Sequence, residues 1–267
     1  MKFPPVFQAD NPALLQEWRD FFEPILKQFN QPGFIASDPV SIPHRYNRKE
    51  DIEIAGFLTA LISWGNRISI LKSAGRMMEK MGDEPYEFIM DTDEKKLRVL
   101  SGFVHRTFND SDLQSCIIIL NEIYTRHGGL ETAFSDGKNA ADRIHNFRNL
   151  FLSFPHERHF GKHLPDPYKG SAAKRINMFL RWMVRSDGNG VDFGLWKSWR
   201  PSELICPLDV HSGRIGRSLG LLERKQDDWK AALELTNNLR LLHPLDPVRY
   251  DYALFGMGIQ PTLILEA

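Results

Sequence analysis

The chain has 267 residues, 42% hydrophobic and 25% charged, with 34 Lys and Arg balanced by 34 Asp and Glu, enough to bury a full core as one large domain or two interlocked ones. It has no run of 18 apolar residues, which leaves no membrane span, and its two cysteines, Cys116 and Cys206, are too few for a disulfide framework or a four-cysteine iron–sulfur cluster. The start Met1-Lys2-Phe3-Pro4-Pro5 has no apolar signal core, so a reducing, cytoplasmic location is expected.

Taken in order, Asn11-Pro12 reads as cap and first turn of a helix over 11–29, with Leu14, Leu15, Trp18, Phe21, Phe22, Ile25 and Leu26 apolar. A loop follows through Gln31-Pro32-Gly33 and Asp38-Pro39. It ends in His44-Arg45-Tyr46, a cluster that either borders a site or anchors the loop. Residues 51–81 carry a helical pattern interrupted at Ser63-Trp64-Gly65-Asn66-Arg67. Further helices are predicted at 84–90, 93–100, 110–126 and 138–154, with turns at His127-Gly128-Gly129 and Ser135-Asp136-Gly137. Two more close the chain, one over 226–241 and one from Asp246-Pro247 to Gly256-Met257-Gly258. No strand alternation appears, so the class is all-α. No linker stands out either, which predicts interleaved domains: a central helical domain over 50–155, and a second built from 1–49 plus 156–267.

The stretch from Lys169 to His211 carries most of the chemistry. Gly170 and Ser171 read as a turn and an N-cap, with a helix running on to Asp187-Gly188. Ala172, Ile176, Phe179, Leu180 and Met183 fall on one apolar face of it. Lys174, Met178, Arg181 and Arg185 fall on another, which aims the lysine into a strip holding two guanidinium groups. The stretch closes on Pro207-Leu208-Asp209-Val210-His211, with Asp209 at the mouth of a new helical pattern. A lysine on one helix and an aspartate at the start of the next make a nucleophile and an acid/base partner if the helices fold back together.

The run Lys-x-x-x-x-Phe-Leu-Arg, followed by Pro-Leu-Asp-x-His-x-x-Arg-Ile, resembles the helix-hairpin-helix DNA glycosylase/lyase superfamily, in its 8-oxoguanine glycosylase-like branch. It is also similar to a group of bacterial proteins that look like distant members of that superfamily. The family's hairpin reads here Leu164-Pro165-Asp166-Pro167-Tyr168-Lys169-Gly170, keeping the last glycine. The resemblance implies an all-α, glycosylase-like fold with its site in a cleft between two helical domains. It places the nucleophile on Lys174 and its partner on Asp209. Lys174 would attack the sugar C1′ of an extruded base, an oxidised purine foremost, and form an imine that permits strand cleavage. Phe255, in Ala253-Leu254-Phe255-Gly256, would stack on that base beside Trp182 and His211. Asn66 and Arg67 would enter the gap the base leaves, and Lys169, Gly170, Ser171, Arg175 and Arg181 would hold the DNA backbone. The implied partner is double-stranded DNA with a damaged base, bound by a monomer without a cofactor.

Each residue also has a plainer reading. Lys174 can be a solvated lysine, Asp209 a simple N-cap, Phe255 core, and Gly65-Asn66 an ordinary helix–helix turn. For attack, the amine of Lys174 must titrate near neutrality, which Arg175, Arg181 and Arg185 on or near its face would favour. The pI of about 7.1 gives no global attraction to phosphates. The window 156–185, however, holds seven Lys or Arg against two acids, a net +5. The His156-x-x-His159-x-x-x-His163 cluster could hold a metal on one helix face, but Pro155 and Gly161 argue against a regular helix there, and no metal is expected. The competing class is a glycosylase-like module that binds nucleic acid without cutting it.

Overall fold

The computed structural model describes residues 4–8 and 11–259, and nearly all of its regular structure is helical. The signal-peptide reading rests partly on Met1, Lys2 and Phe3, which lie outside the described residues. Backbone contacts divide the chain into two units: Ile35–Asp166, and Met1–Phe34 together with Pro167–Ala267.

The discontinuous unit opens with α1 (Pro12–Phe29), for the reason the sequence offers. The Asn11 side chain accepts from the Leu14 amide at 3.2 Å, and Pro12 takes the first helical position, where no amide is needed. Trp18, Phe21, Phe22, Ile25 and Phe29 are buried along one side. A single short turn, α2 (Pro32–Ile35), leads away.

The middle unit is built around α3 (Lys49–Leu61), buried continuously from Ile52 to Leu61. Its one buried acid, Glu53, accepts a hydrogen bond from the Tyr124 hydroxyl at 2.7 Å. After the break, Asn66 caps α4 (Arg67–Lys80) by accepting from the Ser69 amide at 3.2 Å. Asn66 therefore opens the second helix of the expected helix–helix turn. Short helices α5 (Pro85–Met90) and α6 (Glu94–Val99) follow. A two-residue hairpin, β1 (Val104–His105) and β2 (Phe108–Asn109), departs from the expectation of no strand. Its turn carries Arg106 in the left-handed region (φ 56°), which hydrophobic periodicity does not report. The unit is completed by α7 (Asp110–Arg126), α8 (Gly129–Ala133) and α9 (Ala140–Leu152). From α9, Phe147 stacks on Phe134 at 3.6 Å and meets Phe57 of α3 edge-on at 5.6 Å.

Residues 35–49 and 156–166, assigned from sequence to the outer domain, fall in this middle unit. The first segment packs its 3₁₀ turns, Pro39–Ser41 and Pro43–Arg45, on α3. The second is held by Arg148, whose Nε donates to the Leu164 carbonyl at 3.1 Å, and by the stacking of His163 on Trp64.

The chain then returns to the first unit with α10 (Lys174–Val184), α11 (Val210–Ser218), α12 (Trp229–Leu242) and α13 (Asp251–Ile259). Helix α13 packs on α11 and on α1, and α1 also meets α12. Gly256 faces the Phe29 ring so closely that a methyl group there has no room. A 3₁₀ turn, Pro247–Tyr250, lies where the sequence predicts the first turn of the last helix.

Candidate active site

Helix α10 begins later than expected, at Lys174 itself. Ser171 is not its N-cap: it forms a β-bridge with Asp228, while the Trp229 amide donates to the Gly170 carbonyl at 3.1 Å. The Ser171 hydroxyl accepts from the Ala173 amide at 3.2 Å, and Ala173 takes the N-cap position in the left-handed region (φ 49°, ψ 33°). Only glycine adopts that conformation without cost. Ala172 therefore lies before the helix, though it is buried as the apolar pattern requires.

Asp209 caps α11. Its Oδ1 accepts from the amides of His211 (2.8 Å) and Ser212 (3.0 Å), and the Ser212 hydroxyl accepts from the Asp209 amide at 2.9 Å, closing a capping box. Its Oδ2 lies 3.8 Å from Lys174 Nζ, and both side chains are about 30% exposed. The carboxylate is thus divided: one oxygen holds the helix, the other faces the amine.

The two arginines of α10 are placed differently from the expectation. Arg181 is buried, with Nε 3.3 Å from Asp192 and Nη1 paired with Asp251, and its guanidinium lies 4.2 Å from the Tyr252 ring centre. Arg185 is 1% exposed and meets three carboxylates: Asp187 at 2.6 Å, Asp246 at 2.8 Å and Asp192 at 3.0 Å. Both guanidinium charges are matched by acids. Both are also buried, so neither presents its charge to phosphates at the surface. The +5 band is accordingly not one surface. Arg158, Lys162 and Lys169 are exposed, Lys174 and Arg175 are half-buried, and the last two cations belong to the core.

Sequence reasoning missed Asp251, at the start of α13. Burial raises its carboxyl to about 6, opposed chiefly by the Arg181 guanidinium and aided by the nearby charge of Asp209. The Cys206 thiol lies 3.8 Å from its Oδ1, and burial pushes that thiol well up. A guanidinium on an apolar face signals that acids must converge on it, but not which acids they are.

The remaining candidates scatter. Trp182 is fully buried. Phe255 is half-buried, with its ring edge-on to Phe34 at 5.9 Å. His211 is exposed at the start of α11, against Gly258 of α13, whose carbonyl accepts from Arg214 at 2.9 Å. Packing around Arg175 pushes its guanidinium down to about 10. Lys169 and Gly170 are exposed, and the space a Gly170 side chain would fill is open. In the middle unit Asn66 is exposed and Arg67 half-buried. The His44-Arg45-Tyr46 cluster anchors its loop: Arg45 pairs with Asp83, and the Tyr46 hydroxyl donates to Asp83 at 3.3 Å.

Among the described residues, one group of side chains brings enough donor atoms together for a metal ion: Asp112, His159 and His163 of the middle unit. The third histidine of the sequence cluster, His156, turns its Nδ1 to the Phe154 carbonyl at 2.6 Å. No helix among the described residues is long and apolar enough to cross a membrane.

The molecule is therefore a mostly helical protein of two units, with a lysine–aspartate pair in the discontinuous one. Residues 38–260 match the model of the family described as "Protein of unknown function (DUF2400)", and the chain belongs to that family. Searches of curated proteins and of solved structures returned no match.

Proposed function

We propose that this protein is a DNA glycosylase/lyase-like enzyme that removes a damaged base, an oxidised purine foremost, from double-stranded DNA. The observation that carries the reading is the 3.8 Å approach of Lys174 Nζ to Asp209 Oδ2, with both groups open to solvent and Asp209 Oδ1 already engaged in capping. Only a neutral amine attacks, and Asp209 Oδ2 would take its proton on closer approach or through one bridging water. The nitrogen lone pair then bonds to C1′ while the glycosidic bond breaks and its electron pair leaves with the base, which takes up a proton. Opening of the sugar ring and loss of the second amine proton give the imine, from which elimination cleaves the strand. Extruding the base costs a few kcal/mol. The exposed Lys169-Gly170 segment is available for a backbone phosphate to offset that cost. Action as a cytoplasmic monomer belongs to the same proposal.

The test is trapping. Incubation with duplexes that each hold one damaged base, in the presence of borohydride, should give a protein–DNA adduct whose peptide map ends on Lys174. Lys174→Gln should abolish the adduct and leave DNA binding within about twofold, because one phosphate-range cation contributes little alone. No adduct with any lesion, or one that survives Lys174→Gln, removes the mechanism. DNA binding that persists in that case assigns the chain to recognition without cutting.

A further inference from the structure

We propose that Asp112, His159 and His163 form a binding site for a divalent transition-metal ion, with zinc the best match to two imidazoles and one carboxylate. The site lies wholly within the middle unit and does not depend on the DNA reading.

Asp112 stands in the first turn of α7 and is completely buried. Its Oδ2 accepts from the Asn109 amide at 3.0 Å, half of a capping box whose other half is the Asn109 side chain. Its Oδ1 is buried and makes no hydrogen bond of its own, although His159 Nε2 lies 2.8 Å away. A buried carboxylate flanked by two imidazoles costs free energy unless a proton or a metal cation is shared among them. His163 Nε2 lies 3.4 Å from Oδ2, and the donor atoms of the three residues fall within 4.8 Å of one another. A tetrahedral zinc with bonds of about 2.0–2.1 Å spaces its ligands roughly 3.3 Å apart. The two histidine–carboxylate spacings, 2.8 and 3.4 Å, stand on either side of that value before any ion enters.

The local backbone explains why the helical objection to this cluster does not apply. His159 and His163 flank a single 3₁₀ turn, Phe160–Lys162, held by Lys162 N to His159 O at 3.2 Å and His163 N to Phe160 O at 2.8 Å. That turn alone brings both rings to Asp112, so Gly161 disrupts nothing. The His163 ring is fixed by aromatic neighbours, stacked on Trp64 at 5.8 Å and edge-on to Phe108 at 5.1 Å. A ligand locked in orientation loses little entropy on binding. His159 is about 39% exposed, which leaves one side of the site open. Three protein ligands and an open position are the arrangement of a zinc that also holds water or an oxygen ligand, rather than of a closed structural site. One carboxylate and two neutral imidazoles suit zinc, iron or cobalt better than the oxygen-seeking magnesium or calcium.

The full-length protein, stripped with a chelator and dialysed, is titrated with zinc by calorimetry and with cobalt(II) by visible absorption. One zinc per chain is expected, with the intense d–d bands of a low-symmetry cobalt site and a rise in melting temperature on loading. His159→Gln, at a part-exposed position, should leave the metal-free melting temperature unchanged and weaken zinc by about 10–100-fold or more, since one ligand is lost. Asp112→Asn tests the carboxylate, and its loss of stability without metal is read separately because Asp112 also caps α7. His156→Gln serves as the control and should change nothing, its ring being engaged elsewhere. Binding unaffected by His159→Gln, or less than one equivalent at tens of micromolar zinc, overturns the proposal and leaves a histidine–aspartate hydrogen-bond cluster.

Discussion

Helix α10 carries two kinds of cation, and their surroundings could hardly differ more. Lys174, at its first position, is about 31% exposed and meets one acid at 3.8 Å. Arg185, just past its end, is buried and meets three acids within 3.0 Å, and Arg181 meets two. Sequence periodicity puts all three on one strip; burial sorts them. A guanidinium can leave water only if carboxylates meet its fork directly, and once met it is fixed in charge and place. Lys174, part-exposed with its partner at 3.8 Å, is held by no such fork. Surrounding acids, more than helical phase, separate a buried cation from a part-exposed one.

The contrast can be broken most directly at Asp209. Asp209→Asn keeps an oxygen to accept from His211 and Ser212 but cannot take a proton. Base excision should fall by about 10²–10⁴-fold, while the melting temperature stays within a few degrees. Parallel loss of activity and stability in thermal melts would make Asp209 a cap and nothing more. The buried side is tested by Arg185→Met, which strands Asp187, Asp192 and Asp246 without their shared cation. Unfolding in urea should show a loss of about 3–5 kcal/mol, and a loss below about 1 kcal/mol would mean that the network is not what holds these helices. The smallest effect sharpens the boundary between the two. Asp251 has its native carboxyl raised to about 6, foremost by burial. The native state therefore holds this proton more tightly than the unfolded chain does, and stability falls as pH rises through the interval from about 4 to 6. The contribution is on the order of 2 kcal/mol. Relative to wild type, Asp251→Asn should flatten the stability profile between pH 4 and 6, and equal slopes for the two proteins would contradict the assignment.

Much of the helical frame was legible in the sequence because its signals are local. Asn11-Pro12 marks the start of α1 through a cap three residues long, and the apolar spacing of 110–126 coincides with α7. What escaped depends on contacts between distant residues. Asp112 reads as an ordinary first-turn acid until the fold sets His159 and His163 beside it. Asp251 falls inside a helix expected to start at Asp246, and nothing marks it until Arg181 and Cys206 converge on it. The hairpin at Arg106 and the late start of α10 at Ala173 both turn on left-handed residues that are not glycine, so no composition signal announces them. The closeness of Lys174 to Asp209 was expected from a motif, and the two groups do meet in space. Arg181 and Arg185, expected on the lysine's face, are instead paired with acids of their own.

The discontinuous unit also dictates an order of events during synthesis. Residues 35–166 form a contiguous stretch, so they can complete their own contacts as soon as they leave the ribosome. Helix α1 is made first, yet α12 and α13, on which it packs, lie more than 200 residues downstream. Its apolar face, with Trp18, Phe21, Phe22 and Phe29, must therefore wait exposed while the rest of the chain is translated. Closing so long a loop is slow, and an unpartnered amphipathic helix is a natural client for a chaperone. Lys174 and Asp209 emerge early enough to meet, but the α13 that backs them, with Asp251 and Gly258, arrives last.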